Sequence, residues 1–230
     1  MTCVGRHAAS AAALLLSVPF VLSPRALEAA TLTGTVQDRA KAPINGARIS
    51  LWIPDTATRV EAISAGGRYE FRSLNEADYL IKAEKRGMAL LLGAVHLKTS
   101  ERHELNLVMV AGDRSGSRAL VAAEDPNGTP QPAKVTGRVE PSRIQHQVSP
   151  DLRVVPDVRS TNEALFQGIS VAALIHRDGT PDNLIVLYAG NEEAAMRTLL
   201  AVRQWRYTPT CLDGEPVEVS TIIDVRFEPR

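Results

Sequence analysis

The sequence predicts a mainly β protein in two parts, an N-terminal β-sandwich and a C-terminal α+β unit in which one helix packs on a small antiparallel sheet. Two observations carry this expectation. Apolar and polar residues alternate through several short runs between Thr31 and Met109, with turn residues between the runs. The C-terminal part instead follows the order hairpin, helix, strand. The stretch 111–134 between them has no periodicity and is crowded with Gly112, Ser115, Gly116, Ser117, Pro126, Asn127, Gly128, Pro130 and Pro132. It is read as a flexible linker joining two separately folding domains, 31–110 and 135–230.

In the first domain Ile49, Leu51 and Ile53 alternate with Ser50 and Trp52. Tyr69 and Phe71 alternate with Arg68, Glu70 and Arg72. Tyr79, Ile81 and Ala83 alternate with Lys82 and Glu84, and Leu105, Leu107 and Met109 close the series. A period of two places each apolar set on one face of a strand. Asn45-Gly46, Pro54-Asp55, Gly66-Gly67, Gly87 and Gly93 punctuate the runs. Many short strands at regular spacing indicate a sandwich.

In the second domain Ile169, Val171, Ala173 and Ile175 alternate, Asp178-Gly179 turns the chain, and Leu184 to Tyr188 returns it. Asp-Gly between apolar runs is a hairpin signal. Asn191 is placed to cap a helix, with Glu192 and Glu193 in its first turn, where carboxylates favour the helix dipole. Ala195, Met196, Leu199 and Val202 continue at helical spacing to Trp205, and Pro209 prevents continuation. After the turn Leu212-Asp213-Gly214-Glu215, a strand from Val217 to Phe227 sets Val217, Val219, Thr221, Ile223, Val225 and Phe227 against Glu218, Ser220, Asp224, Arg226 and Glu228. The first set is expected to pack on the helix carrying Leu199 and Val202, and only Ile222 breaks the polar side.

The N-terminus has the order of an export signal. Arg6 and His7 precede the apolar run Ala8 to Leu22, and the small residues Ala26, Ala29 and Ala30 follow. Pro19 interrupts the run, which is shorter than the ~20 apolar residues of a membrane span. Residues 1–30 are read as a signal peptide cleaved near Ala29 or Ala30, and the other reading is an uncleaved anchor. Cys3 would leave with the leader, and Cys211 would then stand alone as a small buried or turn residue.

The composition narrows the function classes. Hydrophobic residues make up 44% of the 230, enough for folded cores. Lys+Arg and Asp+Glu each total 26, which argues against a general nucleic-acid binder, since that needs excess cations. No nucleophile elbow or phosphate loop is present, no small-molecule substrate or cofactor is implied, and the chain is not expected to be an enzyme. His96 and His103 lack the cysteine or carboxylate company of a metal site, and His146 and His176 are read as surface residues. Arg203, Trp205, Arg206 and Tyr207 are either a cation–π binding patch or a packing anchor. The anchor is favoured, with Trp205 and Tyr207 holding the helix end to the sheet and the arginines coating the surface.

Two family resemblances follow from longer motifs. Gly34-Thr35-Val36-Gln37-Asp38, Pro43-Ile44-Asn45-Gly46-Ala47-Arg48-Ile49, then Gly67 to Leu74 and Asp78-Tyr79-Leu80-Ile81 resemble the carboxypeptidase-regulatory-like, or CnaB-like, domain. That implies an immunoglobulin-like or prealbumin-like sandwich and no peptidase chemistry. Some relatives form a Lys-to-Asn/Asp isopeptide link from the first strand. Leu32 to Val36 holds no lysine, so none is expected despite Asn106.

Gly168 to Val171, Asp178-Gly179-Thr180, Ala201 to Pro209 and Asp213-Gly214-Glu215-Pro216-Val217 are similar to the C-terminal domain of TonB-family proteins. The family's Tyr-Pro near the domain start is matched by Val155-Pro156, with Arg159 after it, so the tyrosine is missing. The resemblance implies a protein of the periplasm or cell envelope that binds a peptide segment of a TonB-dependent outer-membrane transporter, or of another envelope partner, by β-strand addition. It places the docking edge on Glu218, Val219, Ser220, Thr221, Ile222, Ile223, Asp224, Val225 and Arg226. The alternatives are a structural or adhesive protein whose two domains are spacers, and a membrane-anchored energy transducer if the leader is not cleaved. An open edge on the last strand favours docking, and a covered one the spacer.

Overall fold

The computed structural model describes residues 29–112, 121–125, 137–150 and 168–226. Residues 1–28, which hold most of the leader, lie outside the described residues, as do Val155, Pro156, Arg159 and Phe227.

The first unit contains β1 (Ala30–Gln37), β2 (Arg48–Trp52), β3 (Arg59–Ile63), β4 (Arg68–Leu74), β5 (Ala77–Glu84), β6 (Leu91–Leu97), β7 (Arg102–Glu104) and β8 (Leu107–Met109). One layer is built around β1, which pairs antiparallel with β4 and parallel with β7 and β8. The other layer runs β3-β2-β5-β6. Leu32, Val36, Ile49, Leu51, Tyr69, Phe71, Tyr79, Ile81, Leu107 and Met109 fill the space between them. The rings of Tyr69 and Phe71 meet edge to face at 5.9 Å, and the Tyr69 hydroxyl donates to the Leu105 carbonyl at 2.6 Å. The alternation read in the sequence is thus the inward face of a sandwich.

Asn106 serves the sandwich through hydrogen bonds. Its Oδ1 accepts from the Thr35 amide at 2.9 Å and the Thr35 hydroxyl at 2.7 Å.

The second unit contains β12 (Ile169–Ile175), β13 (Pro181–Ala189), α1 (Glu192–Arg203), β14 (Arg206–Tyr207), β15 (Thr210–Leu212), β16 (Glu215–Val217) and β17 (Val219–Val225). Short strands β10 (Val139–Glu140) and β11 (Ile144–His146) pair with β15 and β14. The Asn191 side chain caps α1 by accepting the Ala194 N–H at 2.9 Å. The helix ends at Arg203, two residues before the expected Trp205, and Gln204 forms its C-cap. Trp205 and Tyr207 are buried, and the Trp205 indole donates to the Val148 carbonyl at 2.8 Å. They anchor the helix exit, as the packing reading expected.

The two units share one sheet. β13 lies antiparallel beside β6, with Leu184 opposite Ala94 and Ile185 opposite Gly93. β12 pairs with the other edge of β13, and β17 pairs with β12. One layer of the sandwich therefore continues as β3-β2-β5-β6-β13-β12-β17. Farther along, Tyr188 and Ala189 of β13 pair with β9 (Val121–Glu124), which also pairs with β8. The stretch expected as a linker thus contributes a strand that ties the second unit to the sandwich's other layer. Ladder hydrogen bonds place β9, and they need no apolar periodicity.

This join makes β5 and β6 buried on both faces. Tyr79, Ile81, Leu91 and Val95 point into the sandwich, while Leu80, Leu90, Leu92 and Ala94 join a second core with Ile169, Val171, Leu184, Val186, Leu199, Val202 and Trp205. α1 lies chiefly across β13 and β6, not over the last strand as expected. The strand expected from Val217 to Phe227 is also divided. β16 turns back on β15 and β17 pairs with β12, so the chain changes sheets at Glu218. Ile223 and Val225 are buried, but Val217, Val219 and Thr221 are only half-buried.

Cys211 is buried on β15.

Candidate docking edge

β17 sits at the end of the shared sheet because its neighbour β12 is already paired on its other side. Among the described residues β17 pairs with β12 alone, over the register Val219 opposite Ile175 through Val225 opposite Ile169. Among the described residues no strand pairs with its second edge. The opposite edge of the small sheet is already taken, since β13 is held by β6 and β9.

All nine residues assigned to the edge lie on or beside β17. Ile223 and Val225 face the helix-side core at 8% and 6% exposure. Ile222 and Asp224 are exposed on the opposite side, with Ser220 half-exposed. The Ser170 hydroxyl donates to Asp224 Oδ1 at 2.6 Å. Glu218 precedes the strand, and its Oε1 lies 3.0 Å from His176 Nδ1.

His176 connects this edge to the seam between the units. Its Nε2 lies 3.4 Å from Oδ2 of Asp182, which is 5% exposed. Asp182 Oδ1 in turn accepts the His96 backbone N–H at 2.9 Å and Arg203 Nη1 at 3.2 Å. Arg203 also donates to the Pro181 carbonyl and to Asp78 of β5. Burial works to lower the His176 pKa, but hydrogen bonds to Glu218 and Asp182 outweigh it and raise the value. Burial would raise the Asp78 carboxyl, yet Arg203 and His96 hold it below its ordinary value. Lys82 bridges Glu192 at 2.6 Å, and His103 Nε2 meets Asn183 Oδ1 at 2.7 Å.

Two sequence readings are corrected here. Arg203 was expected to coat the surface, but its side chain is 15% exposed and clamps β5, β13 and α1 together. His176 was expected as an isolated surface residue, but it sits between two carboxylates. Asp182, Asp78 and Gly93 were not foreseen as seam residues. The continuous apolar run from Met88 to Val95 was the available signal, since a strand buried on both faces loses alternation.

Among the described residues no group of three or more His, Cys, Asp or Glu side chains is placed to hold a metal ion. No helix among them is long and apolar enough to cross a membrane.

Comparison with known proteins agrees with both resemblances. Residues 31–110 match the family model of the carboxypeptidase regulatory-like domain, and residues 168–229 match that of the Gram-negative bacterial TonB protein C-terminal. No curated protein matches the chain. Among solved structures, it is similar to two interface mutants of a type II cohesin–X-dockerin complex from Acetivibrio cellulolyticus. These are 20% and 21% identical, with TM-scores of 0.28 and 0.27. The matches cover 38% and 36% of this chain and 62% and 59% of those chains, less than two thirds of their length.

Proposed function

We propose that this chain, a carboxypeptidase regulatory-like domain followed by a TonB C-terminal domain, is an exported periplasmic interaction protein. It binds an extended segment of an envelope partner, such as an outer-membrane transporter, by adding that segment as a strand to β17. The role is binding rather than catalysis. The observation that carries the reading is the asymmetry of the small sheet: β13 is occupied by β6 and β9, whereas β17 has an unpaired edge among the described residues. An unpaired edge offers a row of backbone donors and acceptors to a partner strand.

Successive backbone N–H groups along β17 point to opposite edges, so of Ser220→Pro and Thr221→Pro one removes an outward donor while keeping the β12 ladder. The folded member, judged by circular dichroism, should lose binding to synthetic peptides spanning periplasm-facing segments of outer-membrane transporters. Glu218→Gln should bind nearly as wild type does, because the main chain makes the contact. Undiminished binding by the folded proline variant would refute edge docking. Export is checked separately: the intact mass of the periplasmic protein should begin near Ala30 or Thr31. A chain that keeps Met1 in the inner membrane would restore the energy-transducer reading.

A further inference from the structure

We infer that the outer face of β17 selects its partner strand, and that this partner carries a branched aliphatic residue and a basic residue two positions apart on one face. The inference rests on edge docking at β17 and adds the chemistry of the segment that docks.

Ile222 carries the argument. It interrupts an otherwise polar face and is 37% exposed, although Ile223 and Val225 on the other face are buried. Its cross-strand neighbour on β12 is Ala172, whose short side chain leaves Ile222 uncovered. An exposed branched aliphatic residue on an unpaired edge becomes covered when a strand is added there. Directly opposite residues in adjacent strands stand ~4.5–5.5 Å apart at their β-carbons. An aliphatic side chain opposite Ile222 takes its surface out of water, whereas threonine or serine leaves much of it wet.

Asp224 supplies the charge. It lies two residues on, on the same face, and the Ser170 hydroxyl steadies one of its carboxylate oxygens. The other carboxylate of this face, Glu218, is engaged by His176. Arg226 comes next on the face but lies past the paired register, which ends at Val225. Within the paired strand, Asp224 is therefore the charge a docked segment meets. A lysine or arginine opposite it is favoured, and a carboxylate there is repelled. With Ser220 a polar position, the face reads polar, aliphatic, acidic, and its complement is polar, aliphatic, basic at two-residue spacing.

Four seven-residue threonine-rich peptides test this on the mature chain by titration. The first carries valine and lysine two positions apart. The second moves valine by one position, so that the two fall on opposite faces. The third replaces lysine with glutamate, and the fourth replaces valine with threonine. Wild type should bind the first about fivefold more tightly than the third. Asp224→Lys should invert that preference. Ile222→Thr should erase the preference for the first over the fourth and keep the charge discrimination. Equal binding of all four peptides by wild type, or no binding of any, overturns the inference. Edge docking is judged apart from it: a folded proline variant that loses a peptide bound without discrimination leaves docking standing and removes only the selectivity.

Discussion

Gly93 of β6 stands opposite Ile185 of β13 where the two units join, and a β-carbon at Gly93 would lie 2.5 Å from the Leu184 carbonyl oxygen and 2.8 Å from Ile185 Cδ1. Glycine is therefore what lets the strands reach pairing distance. Gly93→Ala must push β13 away or strain both strands, and overpacking of this kind costs ~1–3 kcal/mol. Denaturant unfolding should show that loss. Wild-type stability in the variant would mean that the strands separate here without penalty.

The two units share buried cores despite their separate family matches, so they are expected to unfold together. Leu80, Leu90 and Leu92 of the sandwich are buried in the core that contains α1, and Ile185 and Ala172 of the second unit are buried in the sandwich core. Each of these leucines contributes ~1.5–3 kcal/mol by leaving water. A protease cut within residues 111–120 should leave two fragments that co-elute on size exclusion, and heating should give one transition. Fragments that separate while folded would show that the seam is weak.

The Arg203–Asp182 pair is the polar part of the same seam. Asp182 is 5% exposed, so removing the arginine leaves a carboxylate buried without its main counter-charge. Breaking a buried pair in this way costs ~3–5 kcal/mol. Arg203→Ala should approach that loss, and adding Asp182→Asn should recover part of it, giving a coupling energy in a double-mutant cycle. Additive losses in the two variants would show that the groups act independently.

How far the sequence disclosed this arrangement depended on whether a residue's role is local. Alternation exposed Tyr69 and Phe71 as inward-facing, and the Asn191 cap was legible because it acts three residues away, on Ala194. β17 was legible as a strand but not as the last strand of the sheet among the described residues, because that position depends on how β12 and β13 pair. Arg203 looked like any helix-end arginine, since its partner Asp78 lies 125 residues away in the sequence. The division at Glu218 was hidden because alternation continues unbroken while the chain changes partners.

His176 makes the link between seam and docking edge sensitive to pH. Its two ring nitrogens face Glu218 and Asp182, and both can donate only when the ring is protonated. Its pKa is raised on folding, against the opposing effect of burial, so the protonated ring is favoured in the folded state. Stability from this contact is therefore fully present below the unfolded value of about 6.5 and is lost as pH rises through the folded value. Wild type should exceed His176→Gln in denaturant stability at pH 5.5, and the difference should shrink by pH 8.5. The Asp182→Asn background should reduce the pH 5.5 advantage, because one of the two acceptors loses its charge. A gap between wild type and His176→Gln that is the same at both pH values would mean that protonation of the ring contributes nothing to its hold on Glu218 and Asp182.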